Sequence, residues 1–495
     1  MRHGIGLAAA LAAMMAAAPA RAQVTAEQAL ALQTTLRNWA AGLLTPLIQA
    51  AAVPVAVSAD GARYRLEYAP GSGVIPGFTV TSAGNAVALV RPLDGTRWAI
   101  EDFTLPSDFE ATFDLGGPAM SGRMAMHIGE QKFRAEFDPT LATPSRSEGV
   151  LSNIVQTVQG EQGPQTTRIA RVTGDSTWTP AGPDTINAAV NSAMEGYAAD
   201  TTLPDGTKLA YTIANTRLTL RAEGVDMARV GTMVRAASSL TSDIRAELTG
   251  KVPGASAPTD AQRATMRTLV QALAATFTRI EGKEELTGMK FAAGGMEGTL
   301  AKLELGSAIG APGGNAEFRL RIGVEGFDSA VIPPGAIRGL VPRRVVLAPR
   351  ISGMPKSTLM DFLSHAIDVA GDPDAELDSD AMQMLADNPL TIGIDELLVE
   401  LGLGRLTGTG QVQVSSPTEI TGAAELRMTG LDPLIRLLGQ LPETKMAVPV
   451  AIILKGIGKV EGSETVWRIA YADGKTTVNG TDLAALMPGG PARRK

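Results

Sequence analysis

The chain has 495 residues, of which 44% are hydrophobic but only 4% aromatic, with a net charge of −7 and no cysteine. A pI near 5.3 argues against nucleic acid, whose binders carry a basic footprint. Without cysteine there is neither a disulfide staple nor a thiol for lipid attachment, so burial must stabilise a chain long enough for two or three domains.

The first residues read as a secretory signal: Arg2, an apolar stretch from Ile5 to Ala18, then Ala20-Arg21-Ala22 before Gln23. That stretch is short for a bilayer span and no later run is long enough. The expectation is therefore a periplasmic protein cleaved after Ala22, with no transmembrane span.

Beyond the signal (1–22), the pattern suggests a β-rich domain (23–222), a helical hairpin (223–282), an α+β domain (283–488) and a flexible tail (489–495). Thr25 and Gln28 form a capping-box pattern for a helix carrying Leu32, Leu36, Trp39 and Leu43, which Pro46 ends or bends. From Tyr64 to Phe137 apolar residues alternate, as in antiparallel strands with one covered face. Met124–Ile128 and Phe133–Phe137 flank Gly129-Glu130 like the arms of a β-hairpin. Strands follow at 168–173 and 209–220, with a helix between them on Ile186, Val190, Met194 and Tyr197.

The hairpin's first helix would start at Asp226 and carry Val230, Met233, Leu240, Ile244 and Leu248. Its second would start at the capping box Thr259/Gln262 and carry Met266, Leu269, Leu273 and Phe277. Strands return at 298–305, 318–324 and 343–348, then helices at 357–370 and 380–386. The chain closes with strands at 410–414, 424–428, 448–454, 467–471 and 476–478. The fold class expected is α+β: extended, mostly antiparallel sheets with amphipathic helices on one side, including the central helical hairpin.

One phrase recurs: an alternating run, then Gly-x-Asp, then an apolar segment. It occurs at Leu218-Thr-Leu-Arg-Ala-Glu-Gly224-Val-Asp226, at Phe318 to Gly326-Phe-Asp328 and at Leu426-Arg-Met-Thr-Gly430-Leu-Asp432. Shorter copies stand at Gly393-Ile-Asp395 and Gly480-Thr-Asp482. The expected meaning is a strand ending at a left-handed Gly, followed by Asp as a helix N-cap.

Chemistry is sparse. Past the signal there are two histidines, His127 and His365. His127 reads as a solvated strand residue. His365 shares a helical face with Asp361 and Asp368, an arrangement that could orient and activate a base, or merely give surface ion pairs. Gly174-Asp175-Ser176 after a strand is similar to the nucleophile block of one lipase/esterase family, but Asp361-x-x-x-His365 lacks that family's closing spacing. The acidic run Asp372, Asp374, Glu376, Asp378 and Asp380 offers oxygen ligands for Ca²⁺, yet Leu377 and Gln383 stand where an EF-hand needs Gly and Glu. Nineteen methionines fit either a core or an adaptable apolar groove.

The segments Ala470-Tyr-Ala-Asp-Gly474 and Val478-Asn-Gly480-Thr-Asp-Leu-Ala-Ala-Leu-Met-Pro488, with the Gly430-Leu-Asp432 phrase, resemble an uncharacterised bacterial periplasmic family known only as a domain of unknown function. The resemblance implies compartment and architecture and brings no catalytic, metal or cofactor residues. The functional expectation is a non-enzymatic envelope protein that binds a lipid-like ligand or an envelope protein partner. The alternative is a periplasmic hydrolase using the His365 face or Ser176.

Overall fold

The computed structural model describes residues 24–43, 54–69, 78–94, 97–114, 121–138, 143–160, 163–203, 206–233, 236, 258–369, 377–416 and 419–485. Among the described residues strand makes up 61% and helix 24%, and the twenty-two strands described pair antiparallel within each unit. The α+β expectation is thus corrected to a mostly β fold. Two compact units meet in sequence at Thr278/Arg279.

The first unit begins with helix α1 (Ala26–Leu43). Thr25 and Gln28 cap it reciprocally, each backbone N–H donating to the other's side chain at 3.2 Å. Six short strands follow: β1 (Ala56–Asp60), β2 (Arg63–Tyr68), β3 (Phe78–Ser82), β4 (Ala86–Asp94), β5 (Arg97–Thr104) and β6 (Asp108–Asp114). They pair as β1–β2–β4–β5 and β3–β6, and both groups dock on β7 (Ser121–Asp138), with β6 on its first half and β5 on its second. Long meandering strands then run as β8 (Thr143–Gly160), β9 (Gly163–Pro180), β10 (Thr185–Thr202) and β11 (Lys208–Asp226). Helix α2 (Asp260–Thr276) closes the unit with the expected Thr259/Gln262 capping box.

Two expectations fail here for physical reasons. Gly129-Glu130 makes no turn, because β7 runs straight through it. Gly129 lies beside Asn153, whose backbone is left-handed (φ 54°), and a Cβ on Gly129 would stand 2.9 Å from the Asn153 Cβ. The glycine makes room for an irregularity in the neighbouring strand. The segment read as a helix on Ile186, Val190, Met194 and Tyr197 is β10. Its inward positions alternate Ala188, Val190, Ser192 and Met194, and the small members hide the period of two.

Of the expected helical hairpin, residues 227–233 are helical and α2 is present. Residues 237–257, which would carry the rest of the first helix and its linker, lie outside the described residues, as do 1–22, Pro46 and 489–495.

The second unit is a meander of β12 (Arg279–Ala293), β13 (Met296–Gly310), β14 (Asn315–Ser329), β15 (Arg344–Pro355), β16 (Leu390–Glu400), β17 (Arg405–Val414) and β18 (Ile420–Thr429). Helices α3 (Lys356–Asp368) and α4 (Leu377–Asp387) lie between β15 and β16, close to the expected 357–370 and 380–386. After β18 come α5 (Leu431–Gln440) and α6 (Val448–Ile457), then β19 (Lys459–Glu461), β20 (Glu464–Ala472), β21 (Lys475–Val478) and β22 (Thr481–Asp482). Strand β20 pairs with β18, β19 and β21. The core at this end joins Met428, Leu431, Trp467 and Val478.

The run 448–454, read from its β-branched residues as a strand, is helix α6. Pro449 near its start fits a helix and offers no N–H to a strand ladder. Its C-terminal carbonyls are met by other groups: Leu454 O accepts from Gly458 N (3.1 Å) and Trp467 Nε1 (2.7 Å), and Ile457 O accepts from Asn479 Nδ2 (2.9 Å).

In four of its five copies the Gly-x-Asp phrase has the expected left-handed glycine, the exception being Gly393 within β16. Gly224, Gly326, Gly430 and Gly480 all have positive φ, between 62° and 82°. The aspartates differ. Asp226 Oδ1 accepts from the N–H groups of Ala228 and Arg229, and Asp482 Oδ1 from Ala484 N, as helix caps do. Asp328 instead lies inside β14 and pairs with Arg338. Asp432 sits in the first turn of α5, capped by Gly430 itself, and reaches Lys455. Gly393 and Asp395 lie within β16, where Asp395 pairs with Arg350. The expectation of an Asp cap is corrected for these three copies.

Exposed charges cross-link β18, β19 and β20. Arg468 makes a two-pronged contact with Glu461 at 2.9 and 3.0 Å and a third with Glu425 at 3.0 Å. The Arg468 guanidinium, helped by Lys459, draws the Glu461 carboxyl from 4.5 down to about 2. A carboxylate depressed on folding stabilises the fold above its ordinary value, and that contribution is lost as pH falls through the folded value. The melting-temperature advantage of wild type over Arg468→Gln should therefore hold at neutral pH and shrink between pH 4.5 and about 2. An advantage that persists unchanged at pH 2 would contradict the assignment.

Candidate functional site: an apolar cavity in the first unit

Strand alternation gives β7 to β11 two different faces. In register across four strands, Phe133, Gly149, Gly174 and Ser192 share one face, and Ala135, Ser147, Ser176 and Val190 form the next row on it. The adjacent positions Arg134, Glu148, Asp175 and Asn191 line up on the other face, where Asn191 donates to Asp175 at 2.8 Å. One side is apolar and small, the other charged.

Over the apolar side stand α1 and β2, β4 and β5. Val24, Ala29 and Leu32 of the α1 segment pack with Tyr64, Leu66, Ala88 and Val90, and Tyr64 Oη lies 3.3 Å from Gln28 Oε1. Between these walls lies a cavity of 870 Å³, lined by Leu32, Leu36, Tyr68, Trp98, Ile100, Phe103, Phe133, Leu151, Val172 and Trp178 among others. Its aromatic wall is continuous: Phe103 meets Tyr68 edge-on at 6.2 Å and Phe133 at 5.8 Å. Burial pushes the Tyr68 hydroxyl up to about 12.

The floor is open because its residues are small. Gly149, Gly174, Ser147, Ser176 and Ser192 all line it. A Cβ added to Gly174 would come no closer than 3.5 Å to another atom, the Asn191 carbonyl oxygen. Several polar groups in the lining are already engaged with the protein. Ser176 Oγ lies 2.7 Å from Ser147 Oγ and accepts from Trp178 Nε1 at 3.2 Å. Gln131 binds the Leu105 backbone at both ends of its amide, at 2.8 Å each. What these surfaces chiefly offer a guest is shape and apolar contact, with Lys132 and Asp175 as the charged members of the lining.

The residues singled out from sequence are dispersed. Ser176 is in this cavity floor, with Ser147 and Trp178 as its partners. His365 belongs to the second unit, where its Nε2 lies 3.0 Å from Asp380 Oδ2 on α4, a partner other than the expected Asp361 and Asp368. Asp380 joined the acidic run in the sequence reading. Asp372, Asp374 and Glu376 lie outside the described residues, while Asp378 and Asp380 are within α4. His127 Nδ1 lies 2.7 Å from Asp108 Oδ1 across the β6–β7 pair, and the Ser107 hydroxyl and His127 together lower the Asp108 carboxyl. Among the described residues no group of three or more acidic or histidine side chains is placed to hold a metal, and no helix is long and apolar enough to cross a membrane.

The cavity itself was the missed feature. Methionine was the expected signal of an apolar groove, yet among the described lining residues there is none. The useful signal was instead Gly149, Gly174 and Ser192, small residues interrupting strands at positions that register alone brings side by side.

The second unit carries an apolar surface of another kind. Ile309, Phe318, Ile351, Ile392 and Val412 align across five strands and are all exposed.

No family model matches the chain, and no curated protein or solved structure does either.

Proposed function

We propose that the first unit binds a lipid-like ligand through its acyl chain, and that the protein acts in the cell envelope as a binding protein and not as an enzyme. The observation that carries this reading is the 870 Å³ cavity, walled by aromatic and aliphatic side chains and floored by glycine and serine. Its volume falls in the range of small-molecule sites, roughly 300–1,000 Å³. The signal-like segment ending at Ala22 supports an exported location.

The magnitudes are adequate. At about 0.8 kcal/mol per buried methylene, a sixteen-carbon chain contributes roughly 13 kcal/mol. Association costs at least about 4 kcal/mol of this in lost freedom, leaving enough for a Kd near 1 μM, which requires about 8 kcal/mol.

Organic extraction of the purified protein, followed by mass spectrometry, tests the reading. The expected result is a co-purifying lipid together with a fluorescent fatty acid that binds the emptied protein and is displaced by unlabelled fatty acid. Protein that yields no lipid and binds no such probe would overturn it.

A further inference from the structure

The segment from Met446 to Leu454 contains nine consecutive uncharged residues, Met-Ala-Val-Pro-Val-Ala-Ile-Ile-Leu, and most of it forms helix α6. A helix this apolar ordinarily lies in a core. Here no α6 residue is buried, and Met446, Val450, Ile452, Ile453 and Leu454 are 45% to 89% exposed. Val460, just beyond on β19, is exposed as well.

The helix is held by its polar end. Trp467 Nε1, Asn479 Nδ2 and Gly458 N occupy its last carbonyls, and Lys455 reaches Asp432 on α5. These bonds fix the position of α6 while leaving its large side chains outside, an arrangement that apolar burial alone would not produce. Basic residues bracket the patch, all exposed: Lys445 stands before it, and after it come Lys455, which also pairs with Asp432, and Lys459, which also pairs with Glu461 at 3.5 Å. Ten residues span only about 15 Å as a helix, half of a hydrocarbon core, so such an element cannot cross a bilayer and can only lie in its surface.

We infer that α6 is a membrane-surface anchor, with Val450, Ile453 and Leu454, which share one helical face, and Met446 before them entering the acyl boundary of an anionic bilayer. Lys445, Lys455 and Lys459 then sit at the level of the lipid phosphates, their stems lying along the apolar layer and their ammonium groups outside it. This surface belongs to the second unit and does not depend on the cavity of the first.

Vesicle flotation of the full protein tests the inference, using phosphatidylcholine vesicles with and without phosphatidylglycerol. Wild type should float with the mixed vesicles, less so as salt rises, and weakly with phosphatidylcholine alone. Ile453→Asp, at an exposed site and checked by circular dichroism for an unchanged fold, should reduce flotation roughly tenfold or more, the scale of one large side chain no longer buried. Lys445→Gln with Lys459→Gln should remove the preference for phosphatidylglycerol while leaving the weak residual binding. Wild type that floats with neither vesicle, or Ile453→Asp that floats equally well, would overturn the inference. So would an Ile453-dependent dimer in sedimentation without vesicle binding, since the patch would then be covered by a second copy.

Discussion

Gly174→Leu combined with Ser192→Leu is expected to abolish binding of an acyl-chain probe while leaving the fold as stable as wild type or slightly more so. Both positions face the cavity, from neighbouring strands in direct register. A side chain on residue 174 meets no atom closer than 3.5 Å at its Cβ, so it grows into the space that the ligand would use. Gly174→Leu adds four carbons and Ser192→Leu a net two heavy atoms, so together they displace about six methylenes of ligand; at about 0.8 kcal/mol each, binding weakens by roughly 5 kcal/mol, over a thousandfold. Replacing a strand glycine also removes an entropic cost of folding, about 0.5–1 kcal/mol. Probe titration and thermal melts on the same samples check both halves. Unchanged affinity in the double variant would mean that the ligand does not occupy this floor.

The largest effect on stability is expected at Gly430, and Gly462 provides its control. Both are left-handed, at φ 72° and 63°. At Gly462 nothing lies within 4 Å of an added Cβ, so Gly462→Ala costs only the backbone term, about 1–2 kcal/mol. At Gly430 the same atom would lie 1.9 Å from the Leu403 carbonyl oxygen and 2.7 Å from the Gly404 Cα. Both obstacles are backbone, so the β16–β17 connection or the start of α5 must move. Overpacking of this kind adds about 1–3 kcal/mol, bringing Gly430→Ala to roughly 3 kcal/mol or more. Leu431, directly after it, belongs to the core with Met428 and Trp467, so the shift disturbs packing as well. Urea unfolding of the two variants should separate them clearly. Equal destabilisation would show that the close approach at Gly430 is absent in solution.

What the sequence disclosed was local. The two capping boxes, Thr25/Gln28 and Thr259/Gln262, place their helices because each signal lies within four residues. The left-handed glycines of the repeated phrase were likewise legible, since little but glycine adopts that backbone freely. The failures share a cause: their answer lies on another strand. Gly129 looks like a turn until Asn153 is placed beside it, and β10 looks helical until Ser192 and Ala188 are seen to share a face with Gly174 and Trp178. A short apolar run such as 448–454 has no period long enough to tell strand from helix, and what decides it is Trp467 and Asn479 holding its end. The cavity is the extreme case. Phe133, Gly149, Gly174 and Ser192 are far apart in the chain, and only the antiparallel register assembles them into a floor.

The most direct measurement of the central claim uses the cavity's own tryptophans. Trp98 and Trp178 both line the space and Trp467 lies in the core of the second unit; Trp39, whose side chain lies outside the described ones, is removed throughout by a Trp39→Phe background. A fatty acid brominated along its chain quenches tryptophan fluorescence only at close range. Titration into the Trp39→Phe protein should quench a saturable fraction of the emission, and Trp98→Phe with Trp178→Phe should remove most of that fraction while an unbrominated fatty acid still competes for the site. No quenching in the Trp39→Phe protein, or the same loss of emission once Trp98 and Trp178 are also replaced, would contradict a ligand held between α1 and the long strands.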